Sequence, residues 1–125
     1  MTDAAPSLLE IRLFTLLPGT RVEFDRISRE GTIPLMRRCG ITVLTFGPCL
    51  NDDDGYLLMR SFPSERERVE LAEAFYASPE WTDRYEARVT AMIVDYRTAV
   101  VPATADARLA AIKEILSLVD LRERR

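Results

Sequence analysis

Apolar and polar residues alternate along Leu8 to Leu17, and again from Tyr56 to Phe62, which is the period-two pattern of strands. Between these runs the period lengthens. Phe24, Ile27, Gly31 and Leu35 recur at helical spacing and predict a first helix reaching about Arg38. Pro18-Gly19 separates that helix from the first strand, and Thr20-Arg21-Val22-Glu23 has the form of a capping box at its start. Pro34 falls inside the helical pattern and is expected to kink it, because proline removes one backbone donor. Gly40 is placed to stop the helix as the residue after its C-cap.

Ile41 to Gly47 reads as a second strand, joined to the Tyr56–Phe62 strand by the turn formers Asn51-Asp52-Asp53-Asp54-Gly55. Ser64-Glu65-Arg66-Glu67 opens a second helix that runs through Ala77. Ser78-Pro79 restarts a third, with Ser78 as N-cap and Pro79 at the first helical position, where its missing donor costs nothing. Met92 to Val100 is the fourth strand. The order β-α-β-β-α-β, with its second helix split, predicts an α+β ferredoxin-like domain over residues 8–101. Residues 1–7 read as a disordered lead-in. Residues 102–125 read as an added C-terminal amphipathic helix carrying Leu109, Ile112, Leu116 and Val119 as an apolar stripe.

Such a sheet, in the order 4-1-3-2, has helices on one face only. Leu9, Ile11, Leu13, Leu57, Met59, Met92 and Val94 form an apolar set expected beneath the helices. The other face then carries Glu10, Arg12, Phe14, Leu16, Tyr56, Leu58, Arg60, Phe62, Asp95 and Arg97. That set is too aromatic to be left in water, yet its charges cannot be sealed away unpaired. A two-fold partner that covers the face and pairs Glu10 and Arg12 with Asp95 and Arg97 answers both demands, which predicts a homodimer.

The run Glu10-x-Arg12-x-Phe14-Thr15-Leu16-x-Pro18-Gly19, followed by Pro34-Leu35, Gly40-Ile41 and Ser78-Pro79-Glu80-Trp81, resembles the recurring landmarks of the NIPSNAP family. The likeness covers roughly residues 8–100. It implies a dimeric α+β barrel, a superfamily whose relatives include cofactor-free monooxygenases, haem-degrading oxygenases and polyketide cyclases. It implies a scaffold more than a reaction. Family members often carry histidine near the first helix, where this chain has Gly31 and Cys39.

Composition narrows the chemistry. The chain has 125 residues, enough for one domain with a core, and is 47% hydrophobic. A net charge of −3 leaves no basic excess for nucleic acid. No apolar run approaches a membrane span, and the amino terminus lacks the pattern of a secretion signal, so a cytoplasmic location is expected. Histidine is absent, which removes Ser-His-Asp and Cys-His mechanisms within one chain and the commonest metal and haem ligand. Cys39 and Cys49 supply too few thiolates for a closed zinc site, so neither metal nor cofactor is expected. Sixteen of the 17 basic residues are arginine, a bias that suits a GC-rich bacterial genome.

The strand charges are the sharpest candidates. Arg12 and Arg97 could hold an anionic or enolate oxygen while Glu10 or Asp95 abstracts a proton. The competing reading makes them an ion-pair network that sets the dimer register. Phe14, Tyr56, Arg60, Tyr76, Trp81 and Tyr85 could wall a pocket between helices and sheet, where the barrels hold their ligands, or could simply be core. Cys39 and Cys49 read as small buried hydrophobes, and the aspartates at 52–54 as a solvated turn without the spacing of a calcium loop. The leading expectation is a small-molecule pocket protein. Its chemistry would be that of a cofactor-independent isomerase, cyclase or monooxygenase acting on a hydrophobic or polyketide-like compound in a biosynthetic setting. The alternative is a non-catalytic dimeric interaction module. An open pocket with a titratable group facing it favours the first, and a space filled by Trp81 and its neighbours favours the second.

Overall fold

The computed structural model describes residues 7–103, which form a four-stranded antiparallel sheet with its helices on one face. The strands are β1 (Leu8–Leu16), β2 (Thr42–Pro48), β3 (Gly55–Phe62) and β4 (Ile93–Pro102), in the order β2-β3-β1-β4. The helices are α1 (Arg21–Ile27), α2 (Ile33–Arg38), α3 (Glu65–Tyr76) and α4 (Glu86–Met92). This is the ferredoxin-like α+β arrangement expected from the sequence. The expected final helix, and the lead-in apart from Ser7, lie outside the described residues. Ser7 and Ala103 extend the β1–β4 pairing by one further backbone hydrogen bond of 2.7 Å.

Local chemistry explains most element boundaries. Gly40 has φ +90°, and the amides of Gly40 and Ile41 reach back to the carbonyls of Arg37 and Met36. That is the paired bonding of a Schellman stop, which glycine accepts without strain. The Ser64 hydroxyl accepts from the Glu67 amide at 3.1 Å and caps α3. Ser78 does the same for the next helical start, accepting from the Trp81 amide at 3.3 Å. The capping box at Thr20 is not formed. The Thr20 hydroxyl instead donates to the Leu17 carbonyl at 2.7 Å, and Glu23 binds Arg26 and Arg88. Backbone at φ −103° and ψ −6° turns the Thr20 side chain away from the first amides of α1.

The kink in the first helix is a π turn over Ser28–Thr32, where the Ile33 amide donates to the Ser28 carbonyl five residues back. It lies immediately ahead of Pro34, whose ring crowds the carbonyl four residues earlier and widens the turn there. A second π turn, Trp81–Tyr85, precedes α4, and the Glu86 amide closes it on the Trp81 carbonyl. The two turns touch. Tyr85 packs so closely on Gly31 that a Cβ there would lie 2.6 Å from the ring carbons Cε1 and Cζ.

The faces of β1 and β3 are the reverse of the expectation. Register places Glu10 opposite Arg60, Arg12 opposite Leu58 and Phe14 opposite Tyr56, and the helices cover this set. Leu9, Ile11, Leu13, Leu57 and Met59 lie on the face that no described helix covers, where Leu13 is 47% exposed, Ile11, Leu57 and Met59 are half-buried and Leu9 is buried. Asp95 and Arg97 pair with Thr15 and Leu13, so they belong to that uncovered face, across the sheet from Glu10 and Arg12. Met92 is buried at the end of α4 rather than on a strand. The physical reason is that Phe14, Leu16, Tyr56, Leu58 and Phe62 bring more apolar area than the aliphatic set, and the two buried charges among them neutralise each other.

Candidate functional site

Glu10 is the centre of the buried charges. Its Oε1 accepts from Arg60 Nε at 2.7 Å, with Arg60 Nη2 2.5 Å away but off the hydrogen-bond line. Both side chains are almost wholly out of water, at 0% and 1% exposure. Glu10 Oε2 accepts from Arg68 Nη1 at 3.0 Å, and Arg68 also binds Glu65. Arg68 is therefore held firmly protonated, above all by its hydrogen bonds to Glu65, while partial burial opposes this. Arg12 is the third guanidinium in the group. Its Nη2 lies 3.9 Å from Glu10 Oε2, past hydrogen-bond range. With both oxygens engaged, Glu10 is an ion-pair anchor and no longer a candidate base. Arg60 belongs to this anchor and not to a pocket wall.

Arg12 points the other way, toward a cavity of about 380 Å³ between the helices and the sheet. Its Nε donates to the Thr98 hydroxyl and its Nη1 to the Tyr76 hydroxyl, each at 3.1 Å. The guanidinium also lies over the Tyr96 ring, 5.3 Å from its centroid. Phe14, Tyr56, Tyr76 and Trp81 line the cavity as expected pocket residues, whereas Tyr85 is turned into the contact with Gly31. Aromatic packing fixes these walls: Phe24 meets Tyr56 edge-on at 4.8 Å, and Trp81 meets Tyr76 at 5.4 Å.

Both π turns open onto this space, Ser28 and Thr32 from the first and Trp81 from the second. A bulge helps too. The register shift between Thr15 and Leu16 leaves Val94 unpaired and returns Ile93 to the helix side, where it joins the lining. Tyr56 is anchored from behind, its hydroxyl donating to Asp25 Oδ1 at 2.6 Å. Burial first, and then that hydrogen bond, push the Tyr56 phenol well above its ordinary range.

Glu86 was not singled out by the sequence. It lies at the exposed rim, at the first position of α4, with its side chain beside the cavity. A glutamate among many on polar helix surfaces carries no pattern that marks it. Asp95 and Arg97, in contrast, lie on the far face of the sheet and are removed from the candidate site. Cys39 and Cys49 are free and half-buried, and desolvation raises the Cys49 thiol above its usual range. Among the described residues, no three His, Cys, Asp or Glu side chains gather in a metal-binding group, and no helix is long and apolar enough to cross a membrane.

Solved structures share this architecture. A NIPSNAP family protein from Agrobacterium tumefaciens superposes with TM-score 0.75 at 14% identity, covering 84% of this chain and 92% of that one. A NIPSNAP-like domain protein from Burkholderia xenovorans superposes with TM-score 0.72 at 16% identity, covering 81% and 88%. A candidate antibiotic biosynthesis monooxygenase from Nitrosomonas europaea gives TM-score 0.64 at 9% identity, covering 84% and 97%. No family model matches the chain, and no curated protein matches it. The chain folds as NIPSNAP proteins do, so the resemblance carried by Glu10 to Gly19 and by Ser78 to Trp81 is met at the level of the fold.

Proposed function

We propose that this protein is a NIPSNAP-like small-molecule pocket protein of the cytoplasm that moves a proton on a hydrophobic carbonyl compound. The observation that carries the reading is the cavity of about 380 Å³, whose lining is aromatic and aliphatic except for Arg12, Glu86 and a few hydroxyls. A volume of that order suits a small organic ligand. The space between helices and sheet is open rather than filled by Trp81, which favours the pocket reading over a purely structural module.

In this account the substrate lies among Phe14, Phe24 and Trp81 with its carbonyl oxygen toward Arg12. Glu86 takes a proton from the carbon beside the carbonyl, and the electron pair moves onto oxygen, where Arg12 and its hydroxyl neighbours support the charge. Glu86 then returns the proton to the same or a conjugated carbon, which makes the net reaction an isomerisation or the enolisation that precedes a cyclisation. The fold shared with the Nitrosomonas europaea protein supports a related outcome, in which an enolate carbanion meets oxygen instead.

The protein works as a homodimer, assembled through the uncovered face of Ile11, Leu13, Leu57 and Met59. Those side chains form an apolar patch of the kind a two-fold partner covers. The catalytic reading is tested with 2-tetralone in deuterated buffer. Proton NMR should show exchange at the carbons beside the carbonyl faster than in buffer alone, and Glu86→Gln should remove the excess. Exchange at the buffer rate would refute proton transfer.

A further inference from the structure

The charges around Glu10 do not balance, and the imbalance faces the cavity. Glu10 and Glu65 stand against Arg12, Arg60 and Arg68, which leaves one positive charge in excess. Its location follows from the distances. Arg60 lies against Glu10 Oε1 with Nε at 2.7 Å, and Arg68 holds Glu10 Oε2 at 3.0 Å and Glu65 at 2.6 Å. Arg12 is left 3.9 Å from an oxygen already engaged, and its two hydrogen bonds go to the neutral hydroxyls of Thr98 and Tyr76. The Arg12 side chain is 17% exposed and lines the cavity, so its charge is only partly screened by solvent. Glu86, the other charged residue of the lining, is exposed at the rim, where solvent weakens its effect on the interior.

We infer that the cavity selects an apolar ligand that enters as an oxygen anion, with Arg12 as the group that recognises it. This rests on the pocket reading above and narrows its substrate class. The fitting compounds are apolar carbonyl compounds that carry a carboxylate beside the reacting carbonyl, so that the charged oxygen meets Arg12 while the neighbouring carbon keeps the proton that Glu86 takes. A guanidinium oriented by Thr98 and Tyr76 meets such a group without reorganisation, and a neutral isostere leaves its charge unanswered.

The test pairs 4-phenylbutyrate with 4-phenylbutanamide, which differ in charge and share their apolar body. Calorimetric titration of the full chain should show the acid binding at least tenfold more tightly than the amide, as expected for a hydrogen bond to a charged group. Arg12→Met should abolish that preference while keeping affinity for the amide. Arg12→Gln, which retains donors for Thr98 and Tyr76, should do the same and serves if the first variant fails to fold. Equal affinities in the wild type, or a preference that survives in either variant, would overturn the inference and leave the pocket reading standing. Binding of neither probe would overturn both.

Discussion

Replacing Glu10 or Arg60 tests which face of the sheet is buried. Arg60 is 0% exposed and Glu10 1%, with Arg60 Nε 2.7 Å from Glu10 Oε1. Glu10→Gln leaves a guanidinium sealed beneath the helices with no carboxylate, and breaking a buried pair in this way costs about 3–5 kcal/mol. Arg60→Met should cost near the lower end, about 3 kcal/mol, because Arg68 at 3.0 Å still partners the glutamate. The double variant removes both buried charges and should recover to within about 1–2 kcal/mol of the wild type. Urea unfolding followed by far-ultraviolet circular dichroism on the wild type and the three variants completes the cycle. Single losses below about 1 kcal/mol that simply add are the behaviour of a solvent-facing pair. That result would refute the burial of this face.

Gly31→Ala should destabilise the fold by about 1–3 kcal/mol, since the new Cβ would meet the Tyr85 ring at 2.6 Å. The same substitution made in a Tyr85→Ala background should add little, a non-additivity visible in thermal melts. Tyr56→Phe should cost about 1 kcal/mol at neutral pH by removing the hydrogen bond to Asp25. The folded protein holds the Tyr56 proton more tightly than the unfolded chain, so this contribution is full below about pH 10 and is lost as pH rises further. Alkaline unfolding curves should therefore show the wild type falling to the variant and then below it above that pH, by up to about 1.4 kcal/mol per unit. Leu13→Asp puts a charge on the face that no described helix covers, where Leu13 is 47% exposed. Sedimentation should show a wild-type dimer and a monomeric variant, and a wild-type monomer at micromolar concentration would exclude the dimer.

The order of elements was legible because punctuation marks it locally. Pro18-Gly19, Gly40, Ser64 and Ser78-Pro79 each act on backbone within a few residues, and all four bound elements where the pattern placed them. The orientation of the sheet was not legible. Both parities of β1 and β3 are rich in apolar residues, and a Glu or Arg in a strand reads as outward unless its partner is known. Glu10 and Arg60 lie 50 residues apart and cancel only once β1 and β3 pair in register. The aromatic lining residues could be found from sequence, Tyr76 and Trp81 as bulky groups beside a helix break and Phe14 and Tyr56 as aromatics sharing one face of the strands. Glu86 could not, because its place beside the cavity depends on a π turn that sets the first residue of α4 at the rim. Asp95 and Arg97 keep to the face without helices, as expected, and part from Glu10 and Arg12 because β1 and β3 turn those two beneath the helices.

Trp81 is the only tryptophan of the chain and forms part of the cavity wall, so its fluorescence reports directly on occupancy. Excited at 295 nm and titrated with 4-phenylbutyrate, which does not absorb there, the protein should give a saturable change in emission. Thr90→Phe should remove that change by filling the cavity from its exposed edge. Emission that stays constant, or drifts linearly without saturation in wild type and variant alike, would contradict the claim that this space is a binding site.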